Sequence, residues 1–116
     1  GNNLGDIQKA RLLLKSVRDT NPHHGQGWIA SARVEEAAGK TLRARKIIQE
    51  GCEACPRFVD VWLEAARLHP LPVAKSILAT AVRRVDDTVP VFLKAAELET
   101  QLGSKKAVLR KALEAN

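Results

Sequence analysis

The residues best suited to chemistry in this sequence are two cysteines spaced as Cys-x-x-Cys, Cys52 and Cys55. A redox motif of this kind places its reactive thiolate at the N-terminus of a helix, where the helix dipole stabilises the anion. Here the motif closes a helical stretch just before Pro56, which is the opposite end of a helix. The spacing alone therefore does not indicate a redox site.

A zinc site is the second chemistry that these cysteines could support. Such a site needs four ligands, usually a further Cys pair or a His pair at fixed spacing. The histidines of the chain are His23, His24 and His69. His23 and His24 fall in a turn, where polar residues are expected anyway, and an unligated Cys packs like a small apolar residue. We therefore expect structural cysteines, with no metal, no cofactor and no catalytic centre.

Paired carboxylates could perform acid–base chemistry, and Glu35 and Glu36 are the adjacent pair on the first aromatic-led stretch. Successive side chains of a helix diverge by roughly 100°, so these two carboxylates do not converge on one substrate atom. No nucleophile–base pair or phosphate-binding loop accompanies them. The sequence does not predict an enzyme or a small-molecule substrate.

An internal repeat organises the elements that carry these residues. Three stretches each begin with a large aromatic residue followed by small residues, at 28–35, 62–69 and 92–99. Four interleaved stretches run from a small or basic residue into aliphatic residues, at 10–14, 44–48, 74–78 and 105–109. Both series have the apolar spacing of helices, and their steps match. They define one unit of two helices, called A (aromatic) and B.

Neither helix pair buries its apolar face alone, so neighbouring pairs must stack. The predicted fold is all-α, a right-handed superhelical solenoid of antiparallel helix pairs, with A helices on the concave side and B helices on the convex side. The predicted array has seven helices: residues 1–116 form one fragment, with a lone B helix at 6–22 and repeats at 28–56, 62–87 and 92–116. Gly39, Pro22 and Pro56 indicate helix ends, and Asp6 and Ser104 are predicted N-caps.

Positions that recur between units are expected to hold the packing together. They are Trp28, Ala32, Glu35, Arg45, Pro56, Trp62, Ala66, Phe92, Ala96 and Glu99. A carboxylate on a packing face needs a cation, and Arg can bind it through two hydrogen bonds. We predict the pairs Glu35–Arg45 and Glu99–Lys106 within single repeats. The aromatic rings are expected in the core, which leaves no exposed ring for stacking on RNA bases.

Composition narrows the class of protein further. The 116 residues contain 19 Lys and Arg against 13 Asp and Glu, a net charge of +6. No apolar run approaches the roughly 18 residues of a membrane span. Two cysteines favour a reducing compartment over a disulfide-rich scaffold. The absence of Met and the unpartnered first helix B fit a piece of a larger protein.

The repeat resembles the half-a-TPR (HAT) family, which occurs mainly in RNA-processing proteins. The resemblance lies in Trp-x-x-x-Ala-x-x-Glu of helix A, Ala-Arg of helix B and the Pro that follows it, at Trp28, Ala44 and Pro56. The Leu-Gly pair and the Tyr of the tetratricopeptide pattern are absent. Sequence segments such as Val61-Trp-Leu-Glu-Ala-Ala-Arg-Leu resemble the splicing scaffolds of this family in particular. It implies a nuclear, non-enzymatic scaffold that bridges proteins of the spliceosomal tri-snRNP.

Two surfaces remain open to partners. The A helices present charges of alternating sign, which suits a protein partner; these are Arg33, Glu36, Glu64, Arg67, Lys94 and Glu97. The basic excess lies in the B stretches, so the convex side could contact snRNA phosphates or an acidic protein, or be merely solvated. A HAT scaffold of 3′-end processing or ribosome biogenesis is a further alternative. Weak end-to-end self-association through the terminal helices is also expected.

Overall fold

The computed structural model describes residues 4–114, which form six α-helices joined by short turns. The helices are α1 (Leu4–Thr20), α2 (Gly25–Ala37), α3 (Thr41–Ala54), α4 (Val59–Leu68), α5 (Leu71–Ala81) and α6 (Val89–Glu114). No strand occurs in this part of the chain. The all-α prediction is confirmed; residues 1–3 and 115–116 of the predicted array lie outside the described residues.

The helices stack in the order of the chain. Each helix packs on the next, and α2 also contacts α4, as α4 contacts α6. These are the A helices, whereas the B helices α1, α3 and α5 do not contact one another within residues 4–114. Helices of the A series contact one another, whereas helices of the B series are further apart. The stack therefore curves towards the A helices, which line its inner side. With extents of 55 × 37 × 18 Å, the molecule is an elongated solenoid.

Small residues let the helices approach closely. Ala32 and Ala66 are buried, as predicted, whereas Ala96 is exposed. Ile48 of α3 and Val61 of α4 are fully buried and belong to the same core cluster. The core therefore runs as a continuous strip through the first two complete units.

The predicted turn at Gly39 is present. Gly39 has φ +78°, the left-handed conformation that glycine adopts most readily. The amide of Lys40 donates to the carbonyl of Glu35 at 2.8 Å, and the amide of Gly39 donates to that of Glu36 at 2.9 Å. These two backbone hydrogen bonds cap the C-terminus of α2, and the chain then reverses direction into α3.

The third predicted hairpin is absent, so the structure has six helices where seven were predicted. Helix α6 runs without a break through Gly103, and Ser104, predicted as an N-cap, lies in its interior. The earlier units turn at a left-handed glycine or at Pro70, whereas Gly103 is not left-handed. Gly and Ser inside a helix cost about 1 kcal/mol or less each, too little to break it. Asp6 also lies inside its helix, because α1 already includes Leu4.

The continuous α6 changes the surroundings of Phe92. Trp62 is buried and Trp28 half-buried, but Phe92 is 56% exposed. In the first complete unit Trp28 packs directly on Gly51 of helix B. The matching B stretch is here the outer half of α6, where residues 103–114 are all exposed. The prediction that every leading aromatic lies in the core is therefore wrong for Phe92, and one exposed ring remains.

No helix within residues 4–114 combines the length and apolar character that crossing a membrane requires.

Candidate interaction surface

The buried carboxylate of Glu35 is bound by an arginine of the preceding unit. Nε of Arg11 donates to Oε2 at 2.8 Å and Nη2 donates to Oε1 at 2.7 Å. The side chain of Glu35 is 4% exposed and that of Arg11 is 23% exposed. The hydrogen bond from Arg11 lowers the pKa of Glu35, although burial opposes ionisation. The predicted Glu35–Arg45 pair is wrong, because the cation lies on helix B of the unit before.

The same junction recurs along the chain with different partners. Arg11 and Glu35 are 24 residues apart, and so are Lys75 and Glu99, which also form an ion pair. The predicted Glu99–Lys106 pair is therefore wrong as well. In both cases a cation on one B helix binds a glutamate on the next A helix. The constant spacing of 24 residues is visible in the sequence and could have indicated these pairs.

At the junction between α3 and α4, the position equivalent to Glu35 does not hold a carboxylate. Arg45 occupies the position of Arg11, and His69 occupies that of Glu35. Nε of Arg45 donates instead to the carbonyl of Leu68 at 2.6 Å. The His69 ring lies 2.6 Å from the carbonyl of Ala65 through Nδ1. The Nε2 atoms of Gln49 and His69 lie 2.9 Å apart across the junction, which is thus closed by hydrogen bonds in place of an ion pair.

Four of the six residues predicted for partner binding form one network between α2 and α4. Glu64, 5% exposed, accepts from Nε of Arg33 at 3.1 Å and from Nη2 of Arg67 at 2.8 Å. Arg67 also donates to Glu36 at 2.7 Å. Burial disfavours the charge on Glu64, yet hydrogen bonds from Arg67 and Arg33 keep its pKa below the ordinary value. The alternating signs seen in the sequence therefore serve contacts between neighbouring units.

The remaining two residues of that set lie together on α6, where Nζ of Lys94 binds Glu97 at 3.0 Å. The set is exposed through charges of both signs, with Arg33 at 64%, Glu97 at 54% and Arg67 at 45% exposed. A partner on this side would thus meet both basic and acidic side chains, whereas Glu64 lies beneath the arginines. Binding of a partner by these six residues stays a prediction.

The two tryptophans have a role that the sequence reasoning missed. Nε1 of Trp28 donates to the carbonyl of Pro22 at 2.8 Å, and Nε1 of Trp62 donates to that of Pro56 at 2.8 Å. Each indole therefore fixes the turn six residues before it. The recurring Pro-x₅-Trp spacing was the available signal. The side chain of Phe92 has no N–H group and cannot make this bond.

The cysteines are buried and free. The thiol of Cys52 donates to the carbonyl of Val61 at 3.6 Å, and that of Cys55 to the carbonyl of Pro22 at 3.4 Å. Burial raises the pKa of Cys52 to about 12 and also raises that of Cys55. A thiol that stays protonated is a poor nucleophile and a poor metal ligand, which supports the structural interpretation. No cluster of three potential metal ligands occurs within residues 4–114.

Helix pairs that stack on one another, with ion pairs between successive units, define a tetratricopeptide-type repeat array. The tetratricopeptide repeat model matches residues 25–68, which hold α2, α3 and α4. The chain is similar to pre-mRNA splicing factors over nearly its whole length. It is 59% identical to human Pre-mRNA-processing factor 6 over 109 residues, 94% of this chain and 12% of that protein.

Two fungal proteins extend the comparison. The chain is 53% identical over 110 residues to Pre-mRNA-splicing factor prp1 of Schizosaccharomyces pombe, covering 95% of the chain and 12% of the relative. It is 47% identical over 113 residues to Pre-mRNA-splicing factor 6 of Saccharomyces cerevisiae, covering 96% of the chain and 13% of the relative. The chain thus spans a small part of the curated relatives that it matches. The predicted resemblance to splicing proteins built from such repeats is confirmed.

Proposed function

We propose that this segment is a non-enzymatic protein-interaction scaffold in pre-mRNA splicing, acting in the nucleus and bridging components of the spliceosomal tri-snRNP. The observation that carries the proposal is the 59% identity to Pre-mRNA-processing factor 6 over 94% of the chain. Residues 25–68 of the matched stretch fit the tetratricopeptide repeat model, and the stacking of such units creates extended surfaces for partners. The names of the relatives favour splicing over 3′-end processing and ribosome biogenesis.

The ionisable groups support a scaffold over an enzyme. Arginine partners hold the pKa values of Glu35, Glu36 and Glu64 below the ordinary value. A general acid or base at neutral pH needs the opposite shift in a carboxyl group. These carboxylates are engaged in ion pairs between helices, and the thiols of Cys52 and Cys55 stay protonated.

The partners we propose are other spliceosomal proteins, bound on the A side. Cross-linking mass spectrometry of the full-length protein in its native particle tests this directly. We expect cross-links from the A side, at Lys94, to proteins rather than to RNA. The absence of any spliceosomal protein among the cross-linked species would contradict the scaffold proposal.

A matched pair of variants sharpens that experiment. In Arg33→Gln the exposed guanidinium is lost, while Glu64 keeps its bond to Arg67, so the fold should persist. Lys46→Gln removes one exposed charge from the B side and serves as the control. We expect R33Q, but not K46Q, to weaken partner recovery in a pull-down of the full-length protein. Equal recovery of partner proteins with both variants would exclude the A side as the binding surface.

A second candidate function is RNA contact through the basic outer half of α6, a stretch that the sequence alone assigned to the B side. Lys105, Lys106, Arg110 and Lys111 are exposed on α6, and none pairs with an acidic side chain within residues 4–114. A phosphate-binding surface of this kind gives an affinity that falls steeply with salt. Measuring affinity for single-stranded RNA over a salt series tests it. A flat salt dependence would exclude this candidate.

A further inference from the structure

A cleft opens on the B side between α1 and α3. Both helices pack on α2 but not on each other, so α2 forms the floor of the space between them. The cleft encloses about 230 Å³. Its charged lining residues are Arg11, Lys15, Arg18, Arg43 and Glu35, four cations against one carboxylate.

The single carboxylate does not neutralise this cleft. Both oxygens of Glu35 are occupied by Arg11. Arg43 approaches Glu35 only to 4.0 Å and remains 58% exposed. Lys15 is 63% exposed, and its ion pair with Asp19 is equally exposed, so the pair exchanges readily with other anions. Three of the four cations therefore remain available to a ligand.

Arg18 is the cation that the structure holds in place. Its Nη1 donates to the hydroxyl of Ser31, and its guanidinium lies 5.6 Å from the centre of the Trp28 ring. An arginine fixed in this way loses little conformational entropy when it binds an anion. The cleft thus combines one preorganised cation with two exposed ones.

The next cleft along the solenoid shows that packing does not require these cations. It lies between α3 and α5 above α4, at the same positions of the repeat. Lys15, Arg18 and Arg43 of the first cleft correspond to Gln49, Cys52 and Val73 of the second. There α3 packs on α4 and α4 packs on α5, as α1 packs on α2 and α2 packs on α3 at the first cleft. The charges of the first cleft are therefore additional to what the repeat needs.

Apolar side chains line the cleft beside these charges. Leu12 is 72% exposed, and Leu14, Val34 and Ile47 are half-buried. No aromatic ring lines this cleft in the described part of the chain, so bases have no surface to stack on. Cations beside exposed leucine suit a peptide that presents carboxylates and an aliphatic side chain together.

We propose that the α1–α3 cleft binds an acidic amphipathic segment of a protein partner. The carboxylates of the segment pair with Arg18, Arg43 and Lys15, and its aliphatic side chains cover Leu12. The inference rests on the scaffold function only in taking the occupant to be a protein. It adds a second partner surface, on the side opposite the A helices.

The test is fluorescence anisotropy at physiological salt with the 116-residue chain. The probe is a short labelled peptide with Glu and Leu at helical spacing, compared with the same peptide carrying Gln for Glu. The variant K15Q/R43V installs the residues of the second cleft, so the repeat accommodates both changes. The control K46Q/R84Q removes two exposed charges outside the cleft. Circular dichroism confirms that both variants fold.

We expect the Glu peptide to bind the unaltered chain more tightly than the Gln peptide. The K15Q/R43V change should weaken binding roughly tenfold, and the control about twofold or less. Equal loss in both variants would show a general charge effect and overturn the proposal. So would cleft-dependent binding of oligouridylate that exceeds peptide binding, because the ligand would then be RNA. The assay contains no spliceosomal component, so its failure leaves the splicing proposal to the cross-linking experiment.

Discussion

The ion pair between Arg11 and Glu35 offers the sharpest test of how the units are held together. The perturbation is Glu35→Gln, which keeps the shape of the side chain and removes its charge. Arg11 then faces an amide that offers one acceptor oxygen in place of two. Because Glu35 is 4% exposed, water cannot replace the missing partner from that side.

The magnitude follows from the burial of the two partners. Breaking a buried ion pair costs about 3–5 kcal/mol when the remaining charge has no access to water. Arg11 is 23% exposed and keeps part of its hydration, so we expect about 2–3 kcal/mol. The matched control is Glu99→Gln, at the same position of the third unit. There Lys75 and Glu99 are 48% and 54% exposed, and the expected loss is about 0–1 kcal/mol.

Urea denaturation followed by circular dichroism measures both losses, and pH gives an independent readout. The pKa of Glu35 is held below its ordinary value of 4.5 by the hydrogen bond from Arg11. Its ionised form therefore stabilises the fold above the unfolded pKa, and this contribution is lost as pH falls through the folded pKa. The unaltered chain should lose stability below about pH 4.5 more steeply than Glu35→Gln.

Equal destabilisation by Glu35→Gln and Glu99→Gln would refute the reasoning from burial. A double-mutant cycle identifies the partner. Coupling of Glu35 with Arg11 is expected, whereas coupling with Arg45 is not. The opposite result would restore pairing within a single repeat.

Two further predictions concern packing and thiol chemistry. Gly51→Ala should destabilise the fold by about 1–3 kcal/mol, because the added Cβ would lie 2.7 Å from Cβ of Trp28. Gly103→Ala meets nothing within 4 Å and should stabilise α6 by about 0.5–1 kcal/mol, measured in the same denaturation series. Cys52 and Cys55 should resist a thiol reagent at mildly alkaline pH and react once urea unfolds the chain, because burial raises both pKa values. Rapid modification of the folded chain would contradict their burial.

Helix pairing in the first two complete units was predictable because each local signal agrees with the packing. Gly39 ends α2, aromatic residues open the A helices, and buried alanines follow at one-turn spacing. The burial of Glu35 was also predictable from its place on the apolar face. Its partner was not, because a repeat aligned only with itself does not show whether a cation reaches forwards or backwards along the chain.

The single α6 could not be predicted from the repeat either. Residues 105–109 align with the B series, and that alignment implies a turn before them. A turn forms only where the helix is broken or where packing of the returning helix offsets the loss of helical hydrogen bonds. Gly103 and Ser104 do not break the helix, and the residues after them bury nothing in the described part of the chain. Local helix propensity therefore decides the outcome.

The position of buried carboxylates shows how the array tolerates the loss of a recurring residue. The second junction has His69 where a glutamate would pair with Arg45, and a backbone acceptor for Arg45 and the Gln49–His69 hydrogen bond close it instead. Its unit carries a buried glutamate elsewhere, at Glu64, a position that holds Ala30 and Lys94 in the other units. Glu64 binds Arg33 of the preceding unit and Arg67 of its own. The ion pairing has therefore moved from the B–A contact to the A–A contact at this one junction, and the charges that the sequence assigned to a partner also fix the angle between α2 and α4.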